Sequence, residues 1–395
     1  MIMQATSHYP QWRVLERISW LAVLFVVFFY AINSVQAAEL TALEKGRIAL
    51  TFPQSGTITE PEGDFQIRKI LSGDELLGYA YQTINVVDIP AYSGKPINLQ
   101  VILDPQGVIK DAYVLEHHEP ILLIGIPEQK LHDFAAKYDG IKVDQRVVIG
   151  RSRDESAITI DAVSGATVTV MVVNEAIMRS AHQVAVSLGL VKAHAQIKNK
   201  PAIVLMDQYQ KASWTTLTGD GSIRRLLLNR GQVDDAFIGS EAEGVDVASP
   251  EQREDTFIDL YVAELNPPTI GRNLLGERQY QDLMDELKPD EHAIVVLGNG
   301  EYSFKGSGYV RGGIFDRIQL RQFGDIISFR DLDFYRLSDV YAEGMPDFTE
   351  MGIFIVRSQY AFDSGSDWSL ELLVRRQTGP GDSIFTSFEL PYQIQ

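Results

Sequence analysis

Asp161-Ala162-Val163-Ser164-Gly165-Ala166-Thr167-Val168-Thr169 joins two stretches of opposite character. Before it, Ala157-Ile158-Thr159-Ile160 is a short strand-like run. After it, Val170, Val173, Ile177, Ala181, Val184 and Leu188 recur at the spacing of an amphipathic helix, and Gly189 supplies a stop. A strand, a turn of small residues and a helix therefore follow one another. This order aims backbone N–H groups and the positive end of a helix dipole at whatever sits beside Thr167. An anion, above all a phosphate, is the natural occupant. The plainer reading is an ordinary turn in which Ser164 or Thr167 caps the helix. Ser-Gly-Ala-Thr alone does not separate the two.

The longer pattern does more. Asp-x-x-Ser-Gly-Ala-Thr, residues 161–167, resembles the flavin-attachment motif of bacterial proteins that carry FMN in phosphoester linkage to a threonine. The resemblance places the bond on Thr167. It implies that Asp161, Ser164, Gly165 and Ala166 shape a loop read by a separate flavin transferase. Thr169 is the competing hydroxyl just beyond the match.

The chain has 395 residues, room for two domains of ordinary size, and 45% of them are hydrophobic, so a buried core is expected rather than disorder. The formal net charge is −18, and with no local basic patch no nucleic-acid partner is expected. There is no cysteine, which excludes thiolate-ligated iron–sulfur clusters, covalent c-type haem and disulfides within this sequence. Arg13 and Arg17 precede an apolar run from Trp20 to Ile32, and Val35-Gln36-Ala37-Ala38 follows. That is the order of a secretory signal, with cleavage expected after Ala37; an uncleaved inner-membrane anchor is the alternative. Either places the remainder in the periplasm.

Residues 38–195 read as a first, α+β domain. Leu76 to Asp88 is strand-like, and Ile97–Leu103 and Val108–Leu115 flank Asp104-Pro105-Gln106-Gly107 as a β-hairpin. Pro127 to Tyr138 reads as a short helix with Leu131, Phe134 and Ala135 on one face. His117-His118-Glu119-Pro120 follows the hairpin. As a metal site it is weak, and solvated loop residues are the plainer expectation; no metal is expected. Resemblance to flavin-carrying subunits of sodium-pumping and related redox complexes offers a third role. There a His-x-Glu segment and a Gly-containing loop approach the flavin, and His117, Glu119 and Gly125 match loosely, without the usual Thr-Pro-Gly continuation.

Residues 201–395, after a linker at 198–201, read as a second, β-rich α+β domain. Trp214 to Leu228 reads as a strand or turn continuing helically through Ile223, Leu226 and Leu227. Gly271 to Leu287 reads as helical in its second half, ended by Pro289. Ala293–Leu297 is a buried-strand run followed by Gly298-Asn299-Gly300, but Ser303 stands where a dinucleotide-binding fingerprint needs glycine. Phe354–Val356 and Trp368–Arg375 continue the strand pattern, and glycines at 306, 308, 312 and 313 fit turns and close backbone approaches.

Gly150-Arg151-Ser152-Arg153, the attachment motif, and Gly306-Ser307-Gly308-Tyr309-Val310-Arg311-Gly312-Gly313-Ile314-Phe315-Asp316 together resemble the periplasmic portion of the NosR (NirI-related) family of regulators associated with nitrous oxide reductase. The resemblance implies a covalent FMN electron carrier, rather than a self-contained enzyme, that supports the reductase system. A quinol-linked membrane redox partner and the flavin transferase are the implied partners. Tyr309 and Arg311 are candidates for lining the flavin or docking a partner. In that family membrane helices and a cysteine-rich iron–sulfur part follow. The sequence stops at Gln395, so a truncated product, a fragment or a short member with a separate membrane partner stay open. A non-redox binding or assembly module for the reductase is the rival reading.

Overall fold

The computed structural model describes residues 39–91, 93–120, 126–152, 154–163, 166–192, 202–306, 313–379 and 382–393. The signal segment, Ser164, Gly165, Gly125, Tyr309 and Arg311 lie outside them. Two compact units divide the chain, residues 1–46 and 47–395. The described end of the first carries a capping box: Thr41 Oγ1 accepts from Glu44 N–H at 3.2 Å, and the Glu44 carboxylate accepts from Thr41 N–H at 2.8 Å. It opens helix α1, Ala42–Thr51.

The second unit begins with a five-stranded antiparallel sheet in sequential order: β1 (Thr57–Ile58), β2 (Arg68–Ser72), β3 (Glu75–Gln82), β4 (Asn98–Leu103) and β5 (Ile109–Glu116). The β4–β5 hairpin forms as its turn chemistry dictates. Asp104 Oδ1 accepts from the N–H groups of Gln106 and Val108 at 2.9 Å each, and Gly107 takes φ +74°. The strand expected to run from Leu76 to Asp88 stops at Gln82. A 3₁₀ turn, Thr83–Asn85, replaces its second half, because Thr83 Oγ1 accepts from Leu99 N–H at 3.0 Å and bends the chain away from the sheet.

Helix α2 (Gln129–Ala136) buries Leu131, Phe134 and Ala135 as expected. The short parallel pair β6 (Val147–Ile149) and β7 (Ile158–Ile160) leads to helix α3, Thr167–Ser187. Val170, Val173, Ile177, Ala181 and Val184 are fully buried, and the helix ends at a left-handed Gly189. They pack with strands β3–β5 and α2 in one apolar core.

The expectation that α3 is amphipathic is incomplete. Met171, Asn174, Glu175, Met178 and Arg179 are buried too. The apolar stripe faces the first core, and Tyr138 Oη donates to Asn174 Oδ1 there at 2.7 Å. Arg179 faces the rest of the chain: Nη2 donates to the Gln359 carbonyl at 2.5 Å, and the guanidinium lies 4.3 Å over Tyr360. The helix thus has two buried faces, and polar residues serve the second.

The remainder builds a second apolar core. Its elements are α4 (Trp214–Gly219), β8 (Arg224–Asn229), α5 (Arg230–Ala236), β9 (Thr256–Glu264), α6 (Pro268–Glu286), β10 (His292–Gly300), β11 (Ile314–Gln322), β12 (Asp325–Arg330), β13 (Phe334–Arg336), β14 (Glu350–Val356), β15 (Trp368–Gly379) and β16 (Asp382–Tyr392). Two antiparallel sheets, ordered β13-β14-β10-β9-β8 and β12-β11-β15-β16, share that core. The chain is therefore α+β, strand-rich in its second part.

Two local expectations are corrected here. Trp214–Leu228 is helix first and strand second. Ser213 accepts from Thr216 N–H at 3.2 Å and caps α4, Gly221 turns the chain at φ +83°, and Leu226 and Leu227 then alternate across β8, paired with β9. A partner strand overrides the apparent helical spacing. Helix α6 begins at Pro268, not midway. Proline suits a first helical position, and Asn273 Nδ2 donates to the Thr269 carbonyl at 2.7 Å; the helix is interrupted at Gly276, φ +73°. Gly298-Asn299-Gly300 is not a nucleotide loop but the end of β10. A Cβ on Gly300 would meet the Phe257 carbonyl at 2.6 Å, so the glycine permits close approach of β9.

Candidate functional site

The sheet and helix deliver the 161–169 stretch to one end of the first core. Ala166 is buried and closes a turn by donating its N–H to the Val163 carbonyl at 3.0 Å. Its own carbonyl accepts from Val170 N–H at 2.9 Å, the first helical bond of α3. Ala166 is therefore the N-cap, with φ −123° and ψ 32°, and Thr167 is the first helical residue. An alanine has no side-chain acceptor, so the N-cap residue makes no side-chain hydrogen bond to the opening N–H groups of α3. Thr167 is not the cap that the plainer reading allowed. A row of backbone N–H groups at the head of a 21-residue helix is a donor set that fits the phosphate of FMN.

Asp161 is exposed, and its backbone carbonyl accepts from Lys137 Nζ at 3.4 Å. Its carboxylate makes no hydrogen bond or ion pair among the described residues.

Glu119 is not a solvated loop residue. It is 0% exposed, and both its oxygens are engaged: Oε2 accepts from Thr169 Oγ1 at 2.7 Å and Oε1 from Ser93 N–H at 3.1 Å. Glu119, three residues beyond the hairpin, is thereby tied to the first turn of α3, and Thr169, 2% exposed, is held inward. Nothing in the spacing signals this contact, because 50 positions separate the partners.

His117 lies alongside. Its Nδ1 accepts from Glu119 N–H at 3.4 Å, which leaves Nε2 to donate to Glu128 Oε1 at 3.2 Å. His132 sits against the same Glu128 and stacks on Tyr113 with ring centroids 4.5 Å apart. Burial lowers the His132 pKa below its ordinary value while Glu128 pulls the other way. Among the described residues no group of three His, Cys, Asp or Glu side chains converges as a metal site. The structure brings Glu119, Thr169 and the head of α3 together; His117 touches them through the Glu119 backbone, and Asp161 is exposed and not bonded to them.

Downstream of β6 the chain reaches the second core. Gly150 has φ +89°, and a Cβ there would lie 2.7 Å from the Phe385 carbonyl; Arg151 N–H donates to that carbonyl at 2.9 Å. The Gly150-Arg151 motif is therefore a close crossing of β16.

A family described as "FMN-binding domain" matches residues 92–182, which run from before β4 into α3 and contain His117, Glu119, Asp161, Ala166, Thr167 and Thr169, but not Tyr309 or Arg311. "Regulatory protein NosR" of Stutzerimonas stutzeri is 68% identical over 376 residues, 95% of this chain and 52% of that protein. "Regulatory protein NosR" of Pseudomonas aeruginosa is 65% identical over 375 residues, 95% of this chain and 52% of that protein. "Protein NirI" of Paracoccus denitrificans is 30% identical over 279 residues, 71% of this chain and 38% of that protein. The chain spans about half the length of the NosR relatives it matches. With an FMN-binding segment that begins in the loop before the hairpin and runs into the helix opened by Thr167, and with NosR-like sequence along nearly its whole length, this chain belongs to the NosR family and carries an FMN-binding domain.

Proposed function

We propose that the chain carries FMN in phosphoester linkage to Thr167 and serves as an exported electron carrier that supports the nitrous oxide reductase system. One observation carries the attachment reading. Thr167 is the first residue of a helix whose N-cap, Ala166, supplies no acceptor, while the competing Thr169 is buried and bonded to Glu119. The opening N–H groups of α3 are the donors proposed for the phosphodiester, whose negative charge gains roughly 0.3–1 kcal/mol from the helix N-terminus.

Attachment is a group transfer without redox change. The Thr167 hydroxyl oxygen bonds to the flavin-side phosphorus of a phosphoanhydride-activated flavin held by a separate transferase. The anhydride P–O bond breaks, the other phosphate leaves, and the hydroxyl proton is taken up by the transferase or water. When bound, FMN supplies one- and two-electron chemistry, so the chain can stand between a quinol-linked membrane donor and single-electron centres. The protein's own part is to set the flavin's position and potential.

The test is co-expression with a flavin transferase, followed by fluorescence of the denatured band and peptide mass spectrometry. Thr167→Ala loses all covalent flavin. Thr169→Ala keeps it on Thr167. An adduct on Thr169, or fluorescence persisting in Thr167→Ala, overturns the attachment. A Thr167→Ala protein that fully restores reductase activity overturns the carrier role and favours a non-redox assembly module.

A further inference from the structure

We infer that Glu119 is the positioning residue of the attachment site: through Thr169 it clamps the first turn of α3 and so presents Thr167, and not Thr169, to the transferase. The inference rests on the Thr167 reading above. A carboxylate with no exposed surface and one donor on each oxygen is held in place at both oxygens. It is buried with both oxygens bonded, and the bond that links it to the head of α3 is the one from Thr169.

The geometry makes this clamp unusual. Glu119 gathers three separate segments: its own loop after β5, Ser93 before β4, and Thr169 on the helix. The N-cap Ala166 cannot hold the head of α3 with a side chain. The Thr169–Glu119 bond takes over that restraint two residues into the helix. It also consumes the Thr169 hydroxyl as a donor in a buried place, which removes the nearest rival nucleophile. Selection of one threonine from Thr-Val-Thr thus follows from burial and hydrogen bonding rather than from intrinsic reactivity, since both are secondary alcohols.

His117 adds a second restraint. Its Nδ1 accepts the Glu119 N–H, and its Nε2 reaches Glu128 just before α2. The carboxylate is therefore held from its own backbone as well as from its two donors.

The test uses the full chain with the transferase and compares initial flavinylation rates by intact mass. Thr169→Val removes the donor at constant shape and slows labelling of Thr167 about tenfold, the scale of one lost charge-assisted hydrogen bond. Thr169→Ser keeps the donor and labels at close to the wild-type rate. Glu119→Ala slows labelling as Thr169→Val does, and the double variant is no slower than either single one. A merely structural loss would not be rescued by serine. Wild-type rates in Thr169→Val, or additive losses in the double variant, overturn the inference. Should Glu119→Ala fail to fold, the valine and serine variants still decide.

A wild-type protein without flavin on Thr167 would sink the attachment reading and not the clamp. Hydrogen exchange of the amides at 167–171 then judges the clamp. Exchange about tenfold faster in Thr169→Val but not in Thr169→Ser supports it, and unchanged exchange in both overturns it.

Discussion

Arg146 Nη2 donates to Glu371 Oε1 at 2.7 Å, joining the loop before β6 to the middle of β15 across 225 positions of sequence. The Glu371 side chain is wholly buried and also meets Arg321 at 2.7 Å and Gln319. Arg321 in turn donates from Nη2 to the Val147 carbonyl at 3.0 Å. One carboxylate therefore fastens the part that carries the FMN-binding segment to the β-rich part.

Burial opposes the Glu371 charge, but Arg321, Gln319 and Arg146 together hold its carboxyl below the ordinary value of 4.5. A depressed carboxyl contributes stability that is present above its unfolded value and is lost as pH falls through the folded one. Urea midpoints of the wild type should therefore drop below about pH 4.5. Glu371→Ala removes the carboxylate partner of the buried Arg321, while Arg146 keeps Asp154 and Glu389, and costs about 3–5 kcal/mol at pH 7. A urea titration that shows a loss under 1 kcal/mol would contradict this.

Glu175, on the second face of α3, behaves in the opposite sense. Burial raises its carboxyl to about 7, against Arg179 and Ser328, with Asp325 adding to the rise. Between the ordinary value of 4.5 and about 7 the folded protein holds a proton that the unfolded chain releases. Stability from this group therefore falls as pH rises through that window and is level above it. Glu175→Gln removes the penalty. It should be more stable than wild type by about 2–3 kcal/mol at pH 8 and nearly equal to it at pH 4.5. Thermal melts at the two pH values check the sign.

Gly150→Ala should destabilise the crossing of β16. The substitution puts a Cβ against the Phe385 carbonyl at 2.7 Å and holds a non-glycine residue at φ +89°. A loss of about 2–4 kcal/mol is expected, more than for an alanine placed at the open Gly189. Equal chemical denaturation of the two variants would show that the strand yields freely.

Export predicts a mature protein that begins at Ala38, from Arg13, Arg17, the Trp20 to Ile32 run and the Val35 to Ala38 site. N-terminal sequencing of the periplasmic fraction checks it. Cytoplasmic protein that still begins at Met1 would sink the proposed location.

Local chemistry was legible without a structure. Asp104-Pro105-Gln106-Gly107 names its own turn, because an Asp carboxylate and a left-handed glycine satisfy neighbouring backbone groups. The Val170 to Val184 stripe names the helix and its apolar face, because residues three and four apart share one side. The small-residue turn before Thr167 and the glycine after the helix set both its ends. These signals arise within a few residues, so a linear reading captures them.

Only the tertiary structure decided what the polar residues do. Leu226 and Leu227 form a strand because β9 lies beside them, which no spacing within 214–228 encodes. Glu175 and Arg179 look like the solvent side of an amphipathic helix, yet the second core covers them. Glu119 looks like a loop residue, yet Thr169 and Ser93 close over it. Hydrophobic periodicity reports which faces avoid water. A buried carboxylate's stability depends on donors brought to it by packing, and those donors lie tens or hundreds of residues away in the chain.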